Sequence, residues 1–209
     1  MNIKERNENM RQFFNSKIDS YDETHQKFML TKKDLIDSFY SGQETILDLG
    51  VGTGLELIHL FELNGNVKVT AIDISEGMLN KLKERKFGKN IKTILGDFFE
   101  VEFGGPYDAV ISTSALHHFV EKDKLELYKK IYNCLNKNGE FINSDKVALS
   151  IEEEKKLLNE YYQYKDERAH CDTPLSCETE KKLLQEAGFK DIEIKETYND
   201  NYRLIKARK

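Results

Sequence analysis

Apolar positions follow two different rhythms along this chain, and the change from one to the other divides it. Over residues 4–18 and 24–40 they recur at helical spacing, with Phe28, Leu35, Ile36 and Phe39 along one stripe of the second stretch, so two amphipathic helices are expected there. Asp19, Tyr21 and Asp22 read as the turn between them. From residue 45 onward short apolar runs at 45–49, 67–72, 91–95 and 108–113 predict strands, and a fifth begins at 139–143. Helical stretches separate them at 55–63, from Ser75 to residue 86, and at 122–136, with Ser75 placed as an N-cap. Strand and helix alternating at this interval argue for βαβ units and a parallel sheet.

Beyond residue 150 the pattern turns helical again. Ser150 and Glu153 have the spacing of a capping box that opens a helix over 151–165, and Ser176 caps another ending at Gly188. The tail holds two short strands, 191–196 and 202–207, joined by an Asn/Asp-rich turn at 198–201. That spacing predicts an antiparallel hairpin at the sheet edge, a feature that a purely parallel nucleotide-binding sheet lacks.

Composition narrows the picture. A chain of 209 residues has the size of one domain, and its two prolines, Pro106 and Pro174, mark no linker. The expected layout is a single domain, with residues 1–43 as a helical lid, 44–149 as the core, and 150–209 as substrate-side helices and the closing hairpin. Net charge is -5 with both signs mixed along the length, so the basic stripe of a protein that grips a phosphate backbone is missing. The charged stretch Met1 to Arg11 lacks the apolar core of a signal peptide, and no window approaches the roughly 20 apolar residues of a membrane span. Three cysteines, Cys134, Cys171 and Cys177, without a CxxC spacing, point to a reducing, cytoplasmic setting.

Candidate chemistry concentrates where strands end. Ile46-Leu-Asp48-Leu-Gly50-Val-Gly52-Thr-Gly54 runs a strand straight into a glycine turn and then a helix. Such a turn brings backbone N–H groups and the positive end of the helix dipole close to a ligand. Asp73 closes the second strand, where a carboxylate can accept hydrogen bonds from both ribose hydroxyls of an adenosine. Asp97, after the third strand and beside Phe98, can accept from an adenine amine.

This ordered set resembles the class I S-adenosylmethionine-dependent methyltransferases across about residues 13–209. Residues 46–54 look like the family's first motif, Gly96-Asp97-Phe98 its adenine loop, 107–119 its fourth-strand motif, 135–141 the turn into strand five, and 204–209 its last strand. The resemblance implies S-adenosyl-L-methionine as cofactor and a doubly wound α/β sheet of seven strands in the order 3-2-1-4-5-7-6, strand 7 antiparallel. It implies cofactor contacts from Tyr21, Asp48, Gly50, Gly52, Gly54, Asp73, Ile74, Met78, Asp97, Phe98 and Ser114, with Tyr21 closing over the ligand from the N-terminal segment. His117 and His118 follow the fourth strand on the family's substrate side, as a base or as positioning groups. The Asn/Asp-Pro-Pro-Tyr/Phe motif of many amine and amide methylators is absent, Ser112-Thr-Ser-Ala115 standing in its place. Asp172-Thr-Pro-Leu-Ser176 and Ala187-Gly-Phe189 resemble small-molecule and tRNA wobble-uridine methyltransferases, so the expected acceptor is a small molecule, with a tRNA base as the alternative.

Two rival readings stay open at this point. A nicotinamide-dependent oxidoreductase would want a third glycine where Leu55 stands, and would not close on a hairpin. A non-catalytic domain that holds S-adenosylmethionine would keep the same motifs. No metal site is expected, because His170, Cys171 and Cys177 match no standard zinc spacing. Tyr161, Tyr162 and Tyr164 form a cluster that could line a substrate pocket.

Overall fold

A computed structural model describes residues 3–164 and 172–209. Three helices come first: α1 (Ile3–Lys17), α2 (Tyr21–His25) and α3 (Met29–Phe39). The alternating part follows as β1 (Thr45–Leu49), α4 (Leu55–Leu63), β2 (Lys68–Asp73), α5 (Glu76–Glu84), β3 (Ile91–Leu95), β4 (Tyr107–Thr113), α6 (Glu121–Cys134) and β5 (Leu135–Lys146). Then come α7 (Ile151–Tyr164), α8 (Cys177–Glu186), β6 (Lys190–Glu196) and β7 (Tyr202–Arg208).

The seven strands form one sheet in the order β3-β2-β1-β4-β5-β7-β6. Strands β1 to β5 pair in parallel, and β7 runs antiparallel to both β5 and β6. The hairpin expected from the tail is present, with β6 on the outside and β7 wedged against β5.

Period-two alternation sends each strand's side chains to two separate apolar layers. Ile46, Val69, Ala71, Ala109, Ile111 and Ile142 face a layer completed by Leu35, Ile36 and Phe39 of α3 and by Leu57, Leu60, Leu79 and Leu82 of α4 and α5. Leu47, Leu49, Val110 and Phe141 face the opposite layer, filled by Leu127, Tyr128 and Ile131 of α6 and Leu183 and Leu184 of α8. Each fully buried side chain of this size contributes about 1.5–3 kcal/mol. Helix α3 therefore belongs to the core packing of the sheet.

Helix ends follow their caps. Ser75 Oγ accepts from the N–H of Met78 at 3.2 Å, and Ser176 Oγ from that of Thr179 at 3.3 Å. Ser150 Oγ accepts from the N–H of Glu153, whose carboxylate reaches the N–H of Leu149.

Three expectations need correction. The lid expected over residues 1–43 does not include α3, which packs into the core. Asp19, Tyr21 and Asp22 do not make an open turn: residues 18–28 coil as linked short helices, a 3-10 turn at Ile18–Ser20, then α2, then a second at Gln26–Phe28. Local bonds hold this coil, since Thr24 Oγ1 donates to the carbonyls of Ser20 and Tyr21, and the His25 ring reaches the carbonyl of Tyr21. Strand β5 starts at Leu135, the first of the residues read as the turn into it. Leu135 pairs with Tyr107, and the register then slips so that Glu140 pairs with Ala109. Asn138 takes a φ of 65°, and Asn136 donates to Asp108 at 2.7 Å, so the turn residues are held as an irregularity within the strand.

Candidate active site

Where β1, β2, β3 and β4 end, each strand delivers one residue to a shared hollow: Gly50, Asp73, Asp97 and Ser114. In a doubly wound sheet the crevice lies at these carboxyl ends, where the strand order reverses, here between β1 and β4. The hollow is walled largely by apolar side chains, with a few polar groups converging on it, the character of a small-ligand site.

Gly50 permits the close approach of two strand ends. Its φ is +74°, and a Cβ there would stand 2.4 Å from the Cβ of Ala115, so any side chain would force β1 and β4 apart. Gly52, with φ +54°, turns its backbone to the hollow, and a Cβ would meet the Tyr21 ring at 3.4–3.6 Å. The N–H of Gly52 donates to Asp73 Oδ2 at 2.8 Å, and the N–H of Ser75 to Oδ1 at 2.8 Å. Asp73 is thus anchored by backbone while its carboxylate borders the hollow. Burial raises it to about 6 despite these N–H groups, and the neighbouring Glu56 adds to the rise.

Of the residues expected to touch a cofactor, Tyr21, Gly50, Gly52, Asp73, Ile74, Met78, Asp97, Phe98 and Ser114 line this hollow. Asp48 and Gly54 do not. Gly54 precedes α4 with its Cβ position against Leu82. Asp48 shares the sheet face of Ile46 and is fully buried, with Glu56 as its neighbouring acid. Lys32 of α3 donates to Glu56 Oε2 at 2.6 Å and to Thr113 Oγ1 at 2.6 Å. Burial and the Glu56 carboxylate hold Asp48 well above the usual carboxylate range.

Three lining residues from α1, Asn7, Met10 and Phe14, were absent from the sequence reading. They fall at i, i+3 and i+7, a single helical stripe, and that spacing was the available signal. Asn7 Nδ2 donates to Asp97 Oδ2 and the N–H of Phe99 to Oδ1. Asn15 of α1 accepts from Ser75 Oγ at 2.6 Å, tying the helix to the start of α5. Phe119 and Ala115 complete the wall, and Phe98 and Phe119 lie with ring centroids 6.0 Å apart. Tyr21 stacks on His25 at 3.8 Å, and burial pushes its phenol well above the ordinary range.

The structure separates the two candidate histidines. His118 lines the hollow, whereas His117 lines an adjoining cleft with Lys27, Phe28, Lys146, Asp172 and Tyr202. Asp145 Oδ1 meets His117 Nδ1 at 2.5 Å, and Asp172 Oδ1 lies 3.5 Å from Nε2. Burial acts to lower this imidazole, but the Asp145 and Asp172 carboxylates outweigh it and raise it to about 9. Asp172 goes the other way: burial works against its charge, yet its bonds to both histidines and Lys146 hold it far below the usual range. Tyr161 is buried and accepts from Arg6, away from the hollow, while Tyr162 is exposed. His170 and Cys171 lie outside the described residues.

Comparison with known proteins agrees with this geometry. Residues 46–139 match the family described as a methyltransferase domain. The carboxy-S-adenosyl-L-methionine synthase of Nautilia profundicola is 30% identical over 187 residues, covering 80% of this chain and 78% of that protein. The synthase of the same name from Campylobacter concisus is 32% identical over 165 residues, covering 71% and 70%. Among solved structures, DhpI with S-adenosylhomocysteine superposes with a TM-score of 0.75 at 17% identity, over 97% of this chain and 96% of that one. Human N-acetylserotonin methyltransferase with S-adenosylmethionine superposes at 0.69 and 23% identity, over 89% of this chain and 53% of the human one. At these identities the two structures speak for the fold.

Proposed function

This chain belongs to the class I S-adenosylmethionine-dependent methyltransferases, and from that premise we propose that it methylates a small molecule admitted through the cleft beside the cofactor hollow. The observation that carries this reading is the pairing of the two spaces. One is walled by the strand-end residues, the other by His117, Lys146, Asp172 and Tyr202, and His117 and His118 stand between them.

In this reading Asp73 accepts from the ribose hydroxyls through the lone pairs left by its two backbone bonds. Asp97 accepts from the adenine amine, with Phe98, Ile74 and Met78 around the ring. Gly50, Gly52 and Ser114 leave room for the backbone to approach the amino-acid end, and Tyr21 covers it. The cofactor supplies a methyl already activated on a sulfonium. The chain's contribution is alignment and exclusion of water, which in well-oriented reactions is worth up to about 7–11 kcal/mol. His117, held between two carboxylates, positions the wall of the cleft; it carries its proton at neutral pH and so is the wrong member of the pair to serve as a base.

A second reading comes from the relatives named as carboxy-S-adenosyl-L-methionine synthases, whose name speaks of a cofactor that carries a carboxylate. Such a group calls for a cation beside it. Lys146 and Lys27 line the cleft, and the described residues lining the hollow include no Lys or Arg. The cysteines Cys134 and Cys177 are free thiols, in keeping with a reducing compartment such as the cytoplasm, and no helix among the described residues is long and apolar enough to cross a membrane.

Incubation with methyl-labelled S-adenosylmethionine and a panel of hydroxyl, carboxylate, thiol and amine metabolites tests the proposal. Label is expected in one small-molecule class, with S-adenosylhomocysteine as co-product. Label found only in tRNA would overturn it, as would a carboxylated cofactor detected by mass spectrometry.

A further inference from the structure

Between the hollow and the cleft lies one further cluster: His117, His118 and Asp172. Among the described residues, these three bring one donor atom each to within 4.8 Å of one another. We propose that they bind a divalent transition-metal ion, Zn(II) or a close analogue, in the partition between the two spaces.

Donor chemistry comes first. Two imidazole nitrogens and one carboxylate oxygen suit zinc and its neighbours rather than calcium or magnesium, which favour all-oxygen shells. Distance comes next. Metal–donor bonds of about 2.1 Å at tetrahedral angles put neighbouring donors about 3.4 Å apart. Asp172 Oδ1 lies 3.5 Å from His117 Nε2 and 3.4 Å from His118 Nδ1. The carboxylate oxygen therefore already stands at ligand spacing from both rings.

The surroundings fix the orientation of each ligand. Asp145 occupies His117 Nδ1 at 2.5 Å and accepts the N–H groups of Leu116 and His117 at 2.8 and 3.0 Å. That bond sets the ring so that Nε2 faces Asp172, the arrangement by which a second carboxylate orients a metal-binding histidine. A cation there replaces the proton on Nε2. Lys146 holds the other oxygen of Asp172, Oδ2, at 2.8 Å, leaving Oδ1 directed at the imidazoles. Thr173, next in sequence, donates its N–H to the carbonyl of His117 at 2.8 Å, so the segment carrying Asp172 is pinned to the segment carrying the histidines.

Exposure supplies the route. His117 and His118 are buried, whereas Asp172 borders the open cleft. Three protein ligands leave a fourth position, the pattern of a site that takes water or substrate rather than a closed structural one. The inference rests on the proposed function in one respect: the fourth position would receive the acceptor. An acceptor hydroxyl bound there loses its proton to water in the cleft more readily than a free one, and the resulting oxygen attacks the methyl while the sulfur keeps the bonding electrons.

Titration of the purified full-length chain with Co(II), followed by visible absorption and by competition with Zn(II), tests the site. One ion per chain with tetrahedral ligand-field bands is expected. His118→Ala and Asp172→Asn should each abolish the bands, and Asp145→Asn should weaken uptake by about 10- to 100-fold through the lost orientation of His117. Circular dichroism checks that the variants fold, and Asp172→Asn, at the cleft border, is the substitution least disturbing to the core. Absence of stoichiometric uptake by the unaltered chain would overturn the inference, as would uptake unchanged in both ligand variants. S-adenosylhomocysteine binding by calorimetry on the same samples separates the two proposals. Cofactor binding without metal uptake sinks this site alone, and metal uptake in a chain that methylates no small molecule sinks only the functional reading.

Discussion

Asp73 joins burial, a backbone anchor and a cofactor-facing position in one side chain. Its carboxyl is raised to about 6 by burial, against the N–H groups of Ser75 and Gly52. Because the folded value exceeds the unfolded one, the unliganded protein gains stability as pH falls through about 6, when the buried charge is neutralised. Cofactor affinity should move the opposite way, since ribose hydroxyls donate best to the ionised form. Calorimetric titration with S-adenosylhomocysteine should show binding roughly tenfold weaker at about pH 5 than at about pH 7.5. Asp73→Ala should lose about 2–3 kcal/mol of cofactor affinity, and Asp73→Asn should bind weakly with a flat profile across this range. A steep profile retained in Asp73→Asn would assign the titration to another group. Lys32 carries a second test, because it is the ammonium beside the buried acids Glu56 and Asp48. Lys32→Met should cost about 3–5 kcal/mol in chemical denaturation, the usual penalty for stripping the partner from a buried charge. Asp73 was legible in the sequence, since a strand end followed by Ser75 leaves its side chain one place to go. The direction of Asp48 was legible in principle, as strand parity pairs it with Ile46. Lys32 was not, because a lysine on an amphipathic helix gives no sign that its ammonium will reach a buried acid.

Helix α1 and the coil after it show what an element can do that its residues do singly only in part. Asn7, Met10 and Phe14 present one stripe to the hollow, Asn15 holds Ser75, and Ile18 lies over Gly77 of α5. We expect this segment to enclose the cofactor while α3, packed beside Leu57 and Leu60, stays with the core. Deletion of residues 1–22 should therefore leave a folded protein, by circular dichroism, with weaker cofactor binding and little turnover. Unchanged binding and turnover would remove the lid role without touching the family assignment. The two helical stretches were legible from their period, but the coil at 18–28 was not. Its Asp, Ser and Tyr residues favour turns in isolation, and the bonds that Thr24 and His25 make back to its carbonyls bend such a coil rather than announce it. On the other side of the sheet, Lys124 of α6 donates to Glu180 of α8, and Tyr128 donates to the same carboxylate, all three buried. Glu180→Gln leaves that ammonium without its counter-charge and should destabilise by about 3–5 kcal/mol, read as a shifted denaturant midpoint with unchanged cofactor affinity.

The whole molecule is a sheet whose alternation of strands and helices was readable because each signal for it is local, whereas the strand order came with the family resemblance. Parallel strands need crossover helices and the crossovers have the right length, and the tail that reads as a hairpin lies beside β5. What the pattern could not give was which residues from distant segments meet. The contact between Asp172 and His117 joins positions that no periodicity links, and the hollow is closed by α1, some forty residues from the nearest glycine of the turn. The same long-range closure makes the folded state as a whole responsive to its cofactor. Every wall of the hollow, from α1 through the ends of β1 to β4, is assembled only on folding, so the unfolded chain has nothing with which to hold S-adenosylhomocysteine. At a ligand concentration of about 100 times its dissociation constant, mass action then adds about 2.7 kcal/mol of stability. For a chain of this size each kilocalorie corresponds to about 2–4 °C in Tm. Thermal denaturation should accordingly shift upward by about 5–11 °C and keep rising with the logarithm of ligand concentration. NAD at matched concentration should leave Tm where it is. A shift with NAD and none with S-adenosylhomocysteine would mean that the strand-end carboxylates recognise a different nucleotide.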